Sequence, residues 1–305
     1  MTVILPVLVL IGIGMFLRKR SLVSDQGISD MKFVVLNICM PAALFRNFLT
    51  TTLTSRDGAL LLIMTAAMAV TFLLGFVVCR IARIKEPSVP YLCSTIEGGC
   101  IGLVFYGLLF GQNNLYRFAL LDAGGALFQW PVIMTLFAAM QSGKKNKDLA
   151  GSLKSMVNPV TIAIFSGVVL SACGLGAGIT SVPAGEVLVS LLDYVSAPTG
   201  PIIIITIGYG IVLKGIPWNT LLKGILARMA IFAVVGTIVY FITAWLFPED
   251  PLYRLGILLY YTAPPTFAYS ALARREQDRI YVGTYLAVYT VLAVIAFLVI
   301  TLICQ

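Results

Sequence analysis

The chain is dominated by long apolar runs that are separated by short polar or charged connections. Ten such runs can be distinguished, and most approach the about 20 apolar residues that a helix needs to cross a bilayer. The pattern therefore predicts an all-α integral membrane protein with ten transmembrane helices. The runs cover residues 2–17, 27–49, 58–79, 88–111, 116–141, 155–175, 184–213, 219–247, 252–273 and 280–304.

Basic residues are concentrated in every second connection. One set of connections holds fifteen Lys and Arg residues, such as those at 18–20 and 144–147, whereas the opposite set holds only Arg56, Arg117 and Arg254. By the positive-inside rule, the basic connections lie in the cytoplasm and both termini lie outside. The first run lacks a cleavage site before Arg18, so it is expected to be a span rather than a removed signal peptide. We expect a multi-pass protein of the inner (plasma) membrane.

The longest polar connection divides the chain into two halves of five runs each. Two related halves with an odd number of spans must enter the membrane in opposite directions, which is the inverted repeat of many secondary transporters. The predicted units are a first repeat at 1–141, a cytoplasmic linker at 142–154 and a second repeat at 155–305.

Composition removes several classes of function. The chain is 59% hydrophobic and 11% charged and contains no histidine; a soluble domain carries about 25% charged residues. Without histidine, His-ligated metals and Ser-His or Cys-His catalysis are excluded, so neither a cofactor nor a metal is expected. The basic surplus lies in scattered loops and is a topology signal, which argues against a nucleic-acid partner. The six cysteines show no CxxC spacing and are expected to be free thiols.

Two apolar runs are interrupted near their middles, at 97–102 in the fourth run and at 262–266 in the ninth. Glycine weakens a helix, and proline removes a backbone donor. Backbone groups released in hydrocarbon must face protein, water or ligand, so the interruptions predict a shared cavity whose half-helix ends favour an anion. The alternatives are a functionless kink at the prolines and close helix packing at the glycines. The predicted substrate-binding residues are Glu97, Gly98, Gly99, Cys100, Gly102, Asn37, Pro41, Gln129, Thr262, Pro264, Pro265 and Thr266.

Three carboxylates within apolar runs are candidates for proton or ion coupling: Glu97, Asp122 and Asp193. A charge at the centre of a span costs about 3 kcal/mol on insertion scales. Glu97 is therefore expected to carry a proton; the alternative is a structural carboxylate that is hydrogen-bonded to backbone amides or paired with a cation. Asp122 is close to a run end, where a solvated interfacial position is the alternative. Arg46 and Arg228 are expected to extend their side chains to an interface.

The opening of the chain resembles the auxin efflux carrier family, whose members include bacterial malate and malonate permeases and plant PIN-type carriers. The similarity lies in residues 12–20 and 36–45, then in Asn158-Pro159, Gly200-Pro201 and Pro264 with Ala273-Arg274. It extends over most of the chain and depends on the order of these motifs.

The resemblance implies a fold like that of bile-acid sodium symporters, which is often dimeric. Runs one, two, six and seven would form a scaffold, and the other six would form a transport domain in which runs four and nine cross. Substrate would bind at the crossing, and the transport domain would move as an elevator. Two positions depart from the family pattern, with Glu97 in place of Asn and Val104 in place of Pro.

The favoured function is therefore a secondary carrier for a small organic anion, a carboxylate, in a homodimer, with a proton rather than sodium as the coupling ion. A carrier for a cationic or neutral solute is the alternative if Glu97 stays ionised. An intramembrane aspartyl enzyme that uses Asp122 and Asp193, and a passive channel or sensor, are the remaining alternatives; no enzyme activity is expected.

Overall fold

The computed structural model describes residues 4–50, 54–111, 114–142, 159–210 and 218–304, and every regular element within these ranges is helical. Within these ranges, six helical stretches are long and apolar enough to cross a membrane. The prediction of an all-helical protein is therefore confirmed, and the six stretches support a multi-pass membrane protein. The six stretches are Asp25–Leu49, Ser55–Ile81, Leu115–Gln141, Pro183–Gly210, Trp218–Leu246 and Gln277–Ile303.

The other four predicted runs contain shorter helices. The fourth and ninth runs are each divided by a non-helical segment, and the described part of the sixth run begins at Pro159. Residues 143–154 of the predicted linker and Asn158 lie outside the described residues.

The α-helices, numbered along the chain, are α1 (Ile4–Lys19), α2 (Asp25–Val34), α3 (Met40–Leu49), α4 (Ser55–Ile81), α5 (Val89–Leu92), α6 (Leu103–Phe110), α7 (Leu115–Phe128), α8 (Thr135–Ser142), α9 (Pro159–Ala172), α10 (Leu175–Thr180), α11 (Pro183–Ser196), α12 (Thr199–Gly210), α13 (Trp218–Leu246), α14 (Pro251–Thr262), α15 (Ala268–Leu272) and α16 (Glu276–Cys304). In the described part of the chain, three short π-helices lie between them: π1 (Val35–Cys39), π2 (Gly98–Gly102) and π3 (Gln129–Met134).

Helix ends are fixed by local chemistry. Thr54 and Asp57 form a reciprocal capping box at the start of α4, and each side chain accepts a hydrogen bond from the backbone amide of the other residue. Asp250 accepts a hydrogen bond from the Leu252 amide at the start of α14, where Pro251 occupies a first-turn position. Large apolar side chains such as Leu62, Phe241 and Leu302 are exposed along the long helices, as expected for surfaces that contact lipid.

The helices pack in two groups. In the first group, α3 contacts α9 and α11, and α1 contacts α12. In the second group, α7 contacts α4 and α14, and α13 contacts α4, α14 and α16. The two groups meet around π2, which contacts α3 and α12 from the first group and α7 and α14 from the second.

Ion pairs and hydrogen bonds join helix ends that the charge pattern places on the same side. Arg117 Nε lies 2.6 Å from Asp250 Oδ2, which links the start of α7 to the start of α14, both predicted to be outside. Arg18 Nη1 donates to the Tyr209 carbonyl oxygen at 2.8 Å, which links the ends of α1 and α12, both predicted to be cytoplasmic.

Candidate functional site

The first interruption lies between α5 and α6. Residues 95–97 have no regular structure, and the chain then enters π2. A Cβ at Gly98 would collide with the Asp122 carboxylate, a Cβ at Gly99 with the Met40 methyl group, and a Cβ at Gly102 with the Phe118 ring. These glycines therefore let the irregular backbone lie directly against α3 and α7.

The second interruption lies between α14 and α15 and has a different cause. Pro264 and Pro265 supply no backbone donors, and Ala263 adopts extended dihedral angles (φ −64°, ψ 151°), as is favoured for a residue before proline. Residues 264–266 are not helical, and the helix resumes at Ala268. The two prolines thus favour the end of α14 at Thr262.

Glu97 joins the two interruptions. Its backbone amide donates to the Pro264 carbonyl oxygen at 2.8 Å, and its side-chain Oε2 accepts from the Phe267 amide at 2.8 Å. Glu97 is 2% exposed. The two non-helical segments therefore contact each other directly and satisfy part of each other's backbone.

Arg228, in the middle of α13, binds the chain at the end of the helix that precedes each interruption. Its Nη1 donates to the Leu92 carbonyl oxygen at the end of α5, and its Nη2 donates to the Ala263 carbonyl oxygen at 2.9 Å. The guanidinium carbon lies 3.9 Å from the centre of the Phe232 ring and 4.7 Å from that of Tyr289.

The prediction that Arg228 extends to a membrane interface is wrong, because its side chain is completely buried. The long α13 places this residue far from both helix ends, and the carbonyl groups released at two helix ends provide acceptors for it. A mid-span arginine needs buried partners, and that signal in the sequence could have indicated its position.

Two further predicted residues lie beside the first interruption. Gln129 Oε1 accepts from the Ile96 amide at 2.9 Å, so this buried side chain satisfies another released backbone donor. Asp122 is 6% exposed and its carboxylate contacts Gly98. The alternative of a solvated interfacial Asp122 is therefore wrong, since π2 and its neighbours cover the carboxylate.

A cleft of about 760 Å³, here called the outer cleft, reaches Gly99 from the side that is predicted to be outside. Arg46 and Asp193 both line it and form an ion pair, with Arg46 Nε 2.8 Å from Asp193 Oδ1. Arg46 lies in the last turn of α3, where its side chain lines this cleft and pairs with an acid on α11; its interfacial position stays a prediction.

A second cleft of about 670 Å³, here called the inner cleft, opens near the ends predicted to be cytoplasmic and reaches Phe267. Asn37, Tyr209 and Arg279 are among its lining residues. Since Phe267 donates to Glu97 and Gly99 follows Glu97 by two residues, the two clefts approach the paired interruptions from different directions.

The structure does not gather all of the predicted site residues at the interruptions. Asn37 donates to the Phe33 carbonyl oxygen at 2.9 Å and lines the inner cleft, while Asp193 lines the outer cleft. Thr262 lines a separate, largely apolar groove of about 540 Å³ beside α13 and α16.

Three other predicted residues make no described contact between the two interruptions. Thr266 is buried and its hydroxyl oxygen accepts from the Ala268 amide at 3.4 Å. Pro41, in the first turn of α3, is partly buried. Cys100 takes part in π2, and its side chain lies outside the described residues.

Paired helix interruptions between two clefts, in a chain with six candidate spans, are features of a membrane transporter. No protein-family model matches the chain. A protein of Methanothermobacter thermautotrophicus named "Uncharacterized transporter" is 24% identical over 211 residues, which cover 67% of this chain and 66% of that protein. The chain thus matches slightly less than two thirds of the length of this relative. The similarity and the apolar helices support a multi-pass membrane transporter.

Proposed function

We propose that the chain is a secondary carrier of the auxin efflux carrier type that moves a small carboxylate by elevator-type alternating access. The observation that carries the proposal is the contact between the two interruptions, at a point that one cleft approaches from each side. A carrier needs a binding site that can be reached from either side in turn, and interrupted helices at mid-membrane supply such a site.

The packing of the helices supports a division into two moving parts. The predicted scaffold runs correspond to α1, α2–α3, α9 and α11–α12, which contact one another. The second interruption follows α14, which contacts α7 and α13 in the second group, and π2 of the first interruption contacts α7 and α14 of that group as well as α3 and α12 of the first. Because the outer cleft is lined by residues of both groups, a sliding of one group past the other would open or close it.

An anionic substrate is compatible with the buried acid at the crossing. Gly99 lines the outer cleft, whereas Glu97 is directed towards the Phe267 amide. A carboxylate in the cleft would therefore meet the backbone of π2 and the guanidinium of Arg46 before it met Glu97. Glu97, which precedes Gly98, and Asp122, whose carboxylate contacts Gly98, are the groups that we assign to proton coupling.

A cationic or neutral solute is the second candidate, since Asp193 also faces the outer cleft. Counterflow in proteoliposomes with panels of carboxylates, amines and neutral solutes, at an acidic and a neutral pH, tests the proposal. We expect saturable uptake of a labelled carboxylate that is accelerated by unlabelled carboxylate inside the vesicles. Flux without saturation or counterflow would indicate a channel, and counterflow with amines alone would favour the second candidate.

A further inference from the structure

We infer that Arg46 is the residue that binds the substrate carboxylate in the outer cleft, and that Asp193 competes with the substrate for it. This inference rests on the proposed function, because it assigns a binding residue for the anion that the carrier is proposed to move. The interfacial position predicted for Arg46 and the coupling role predicted for Asp193 stay predictions beside this assignment.

The cleft is built as a ligand site of suitable size and chemistry. Its volume of about 760 Å³ falls within the range of about 300 to 1,000 Å³ for small-molecule sites. Its polar lining comes from α3, α7, α11 and α12 and from the backbone of π2. The polar or charged side chains along it are those of Arg46, Asn47, Thr50, Tyr116, Asp193, Ser196 and Thr199.

The Arg46–Asp193 pair has the geometry of an exchangeable contact. Arg46 Nε is 2.8 Å from Asp193 Oδ1 but lacks the alignment of a hydrogen bond, and Nη2 donates to Oδ2 at a long 3.4 Å. The two side chains are 31% and 50% exposed. Ion pairs with this exposure contribute little to stability, so an incoming carboxylate can replace Asp193 at small cost.

The Arg117–Asp250 pair on the same side of the molecule is a more buried and better aligned ion pair than Arg46–Asp193. There Nε donates a hydrogen bond to Oδ2 at 2.6 Å, and the side chains are only 16% and 25% exposed. Arg117 also donates to Asn114 at 2.7 Å. The Arg117–Asp250 pair links α7 to α14, whereas Arg46 makes one long hydrogen bond to Asp193 and can form a bidentate contact with a carboxylate that replaces Asp193.

A second observation independently indicates a ligand in the same cleft. Thr199, the first residue of α12, is 6% exposed and lines the cleft, yet its hydroxyl oxygen has no hydrogen-bond partner among the described residues. Buried polar groups are normally hydrogen-bonded. The hydroxyl group of Thr199 can donate to a carboxylate that is held by Arg46, at the positive end of α12.

Binding of acetate, malonate, succinate and benzoate to the detergent-purified protein, measured by thermal stabilisation, tests the inference without any need for transport. We expect Arg46→Gln to raise the Kd of the tightest of these anions by about tenfold or more, since charge-assisted hydrogen bonds are lost. Asp193→Asn should lower the same Kd by about twofold to fivefold. The substitution removes the carboxylate that competes for Arg46, and an exposed ion pair of this kind is worth up to about 1 kcal/mol. Arg56→Gln, which removes an exposed charge near the same side, should leave Kd unchanged.

Opposite changes in Kd for Arg46→Gln and Asp193→Asn distinguish a binding residue from a structural ion pair. Equal weakening by Arg46→Gln and Asp193→Asn, with lowered thermal stability in both variants, would overturn the inference. Loss of binding in Asp193→Asn alone would also overturn it, since it would indicate a ligand with an ammonium group. A wild-type protein that binds none of the four anions would overturn it as well. Binding with the expected signs but without counterflow would support the inference and contradict the proposed function.

Discussion

The two helix interruptions are produced by different chemistry. In the second, Pro264 and Pro265 favour an end to α14, because neither can donate a hydrogen bond to the preceding turn, and contacts from Arg228 and Glu97 hold the same segment. In the first, no proline is present, and the irregular backbone is held by contacts from other helices alone. One interruption therefore has a local signal in addition to its tertiary contacts, whereas the other depends on tertiary contacts only.

The two interruptions are also interdependent. Arg228 donates to a carbonyl group beside each of them. The Glu97 amide donates to the Pro264 carbonyl oxygen, and the Glu97 carboxylate accepts from the Phe267 amide. Variants that remove these shared contacts should therefore disturb both interruptions, and variants that alter only the prolines should disturb little.

The largest effect is expected from Arg228→Met. The substitution leaves the carbonyl groups of Leu92 and Ala263 buried without their donors, which should lower the free energy of unfolding by about 3 kcal/mol or more. Thermal unfolding of the purified protein in detergent measures the loss. Lys223→Met, an exposed position on the same helix, is the matched control and should have little effect. Equal melting temperatures for the two variants would show that Arg228 does not hold the interruptions.

An intermediate effect is expected from Gly98→Ala. The added Cβ would collide with the Asp122 carboxylate, and overpacking of this kind typically costs about 1 to 3 kcal/mol. Gly283→Ala on α16 adds the same methyl group where no atom lies within 4 Å, so it should be neutral or slightly stabilising. Unfolding curves of both variants give the comparison, and a Gly98→Ala protein as stable as wild type would contradict the described contact.

The smallest effect is expected from Pro264→Ala. Because Arg228 binds the Ala263 carbonyl group and Glu97 binds the Phe267 amide, the interruption should persist, with a change in stability below about 1 kcal/mol. Pro251→Ala at the exposed start of α14 serves as the control for the loss of a proline. A large loss of stability in Pro264→Ala alone would show that the second interruption depends on its proline and not on the shared contacts.

The sequence was sufficient for the features that depend on local pattern. Apolar runs predicted the helices, and the glycine and proline positions predicted both interruptions. The contacts of Arg228 were not predictable in the same way, since its partners lie 136 and 35 residues away along the chain. The pairing of Arg46 with Asp193, which are 147 residues apart, likewise required the packing of α3 against α11.

The most direct test of the account is the pH profile of carboxylate uptake by Glu97→Gln in proteoliposomes. Glutamine retains an oxygen that can accept from the Phe267 amide, so the variant should fold with nearly unchanged stability, but it cannot exchange a proton. Glu186→Gln on the exposed surface of α11 provides the control. We expect the Glu97→Gln protein to lose uptake or its pH dependence, with the control unchanged. Uptake by Glu97→Gln with the wild-type rate and pH profile would contradict the claim that the paired interruptions form the coupled site.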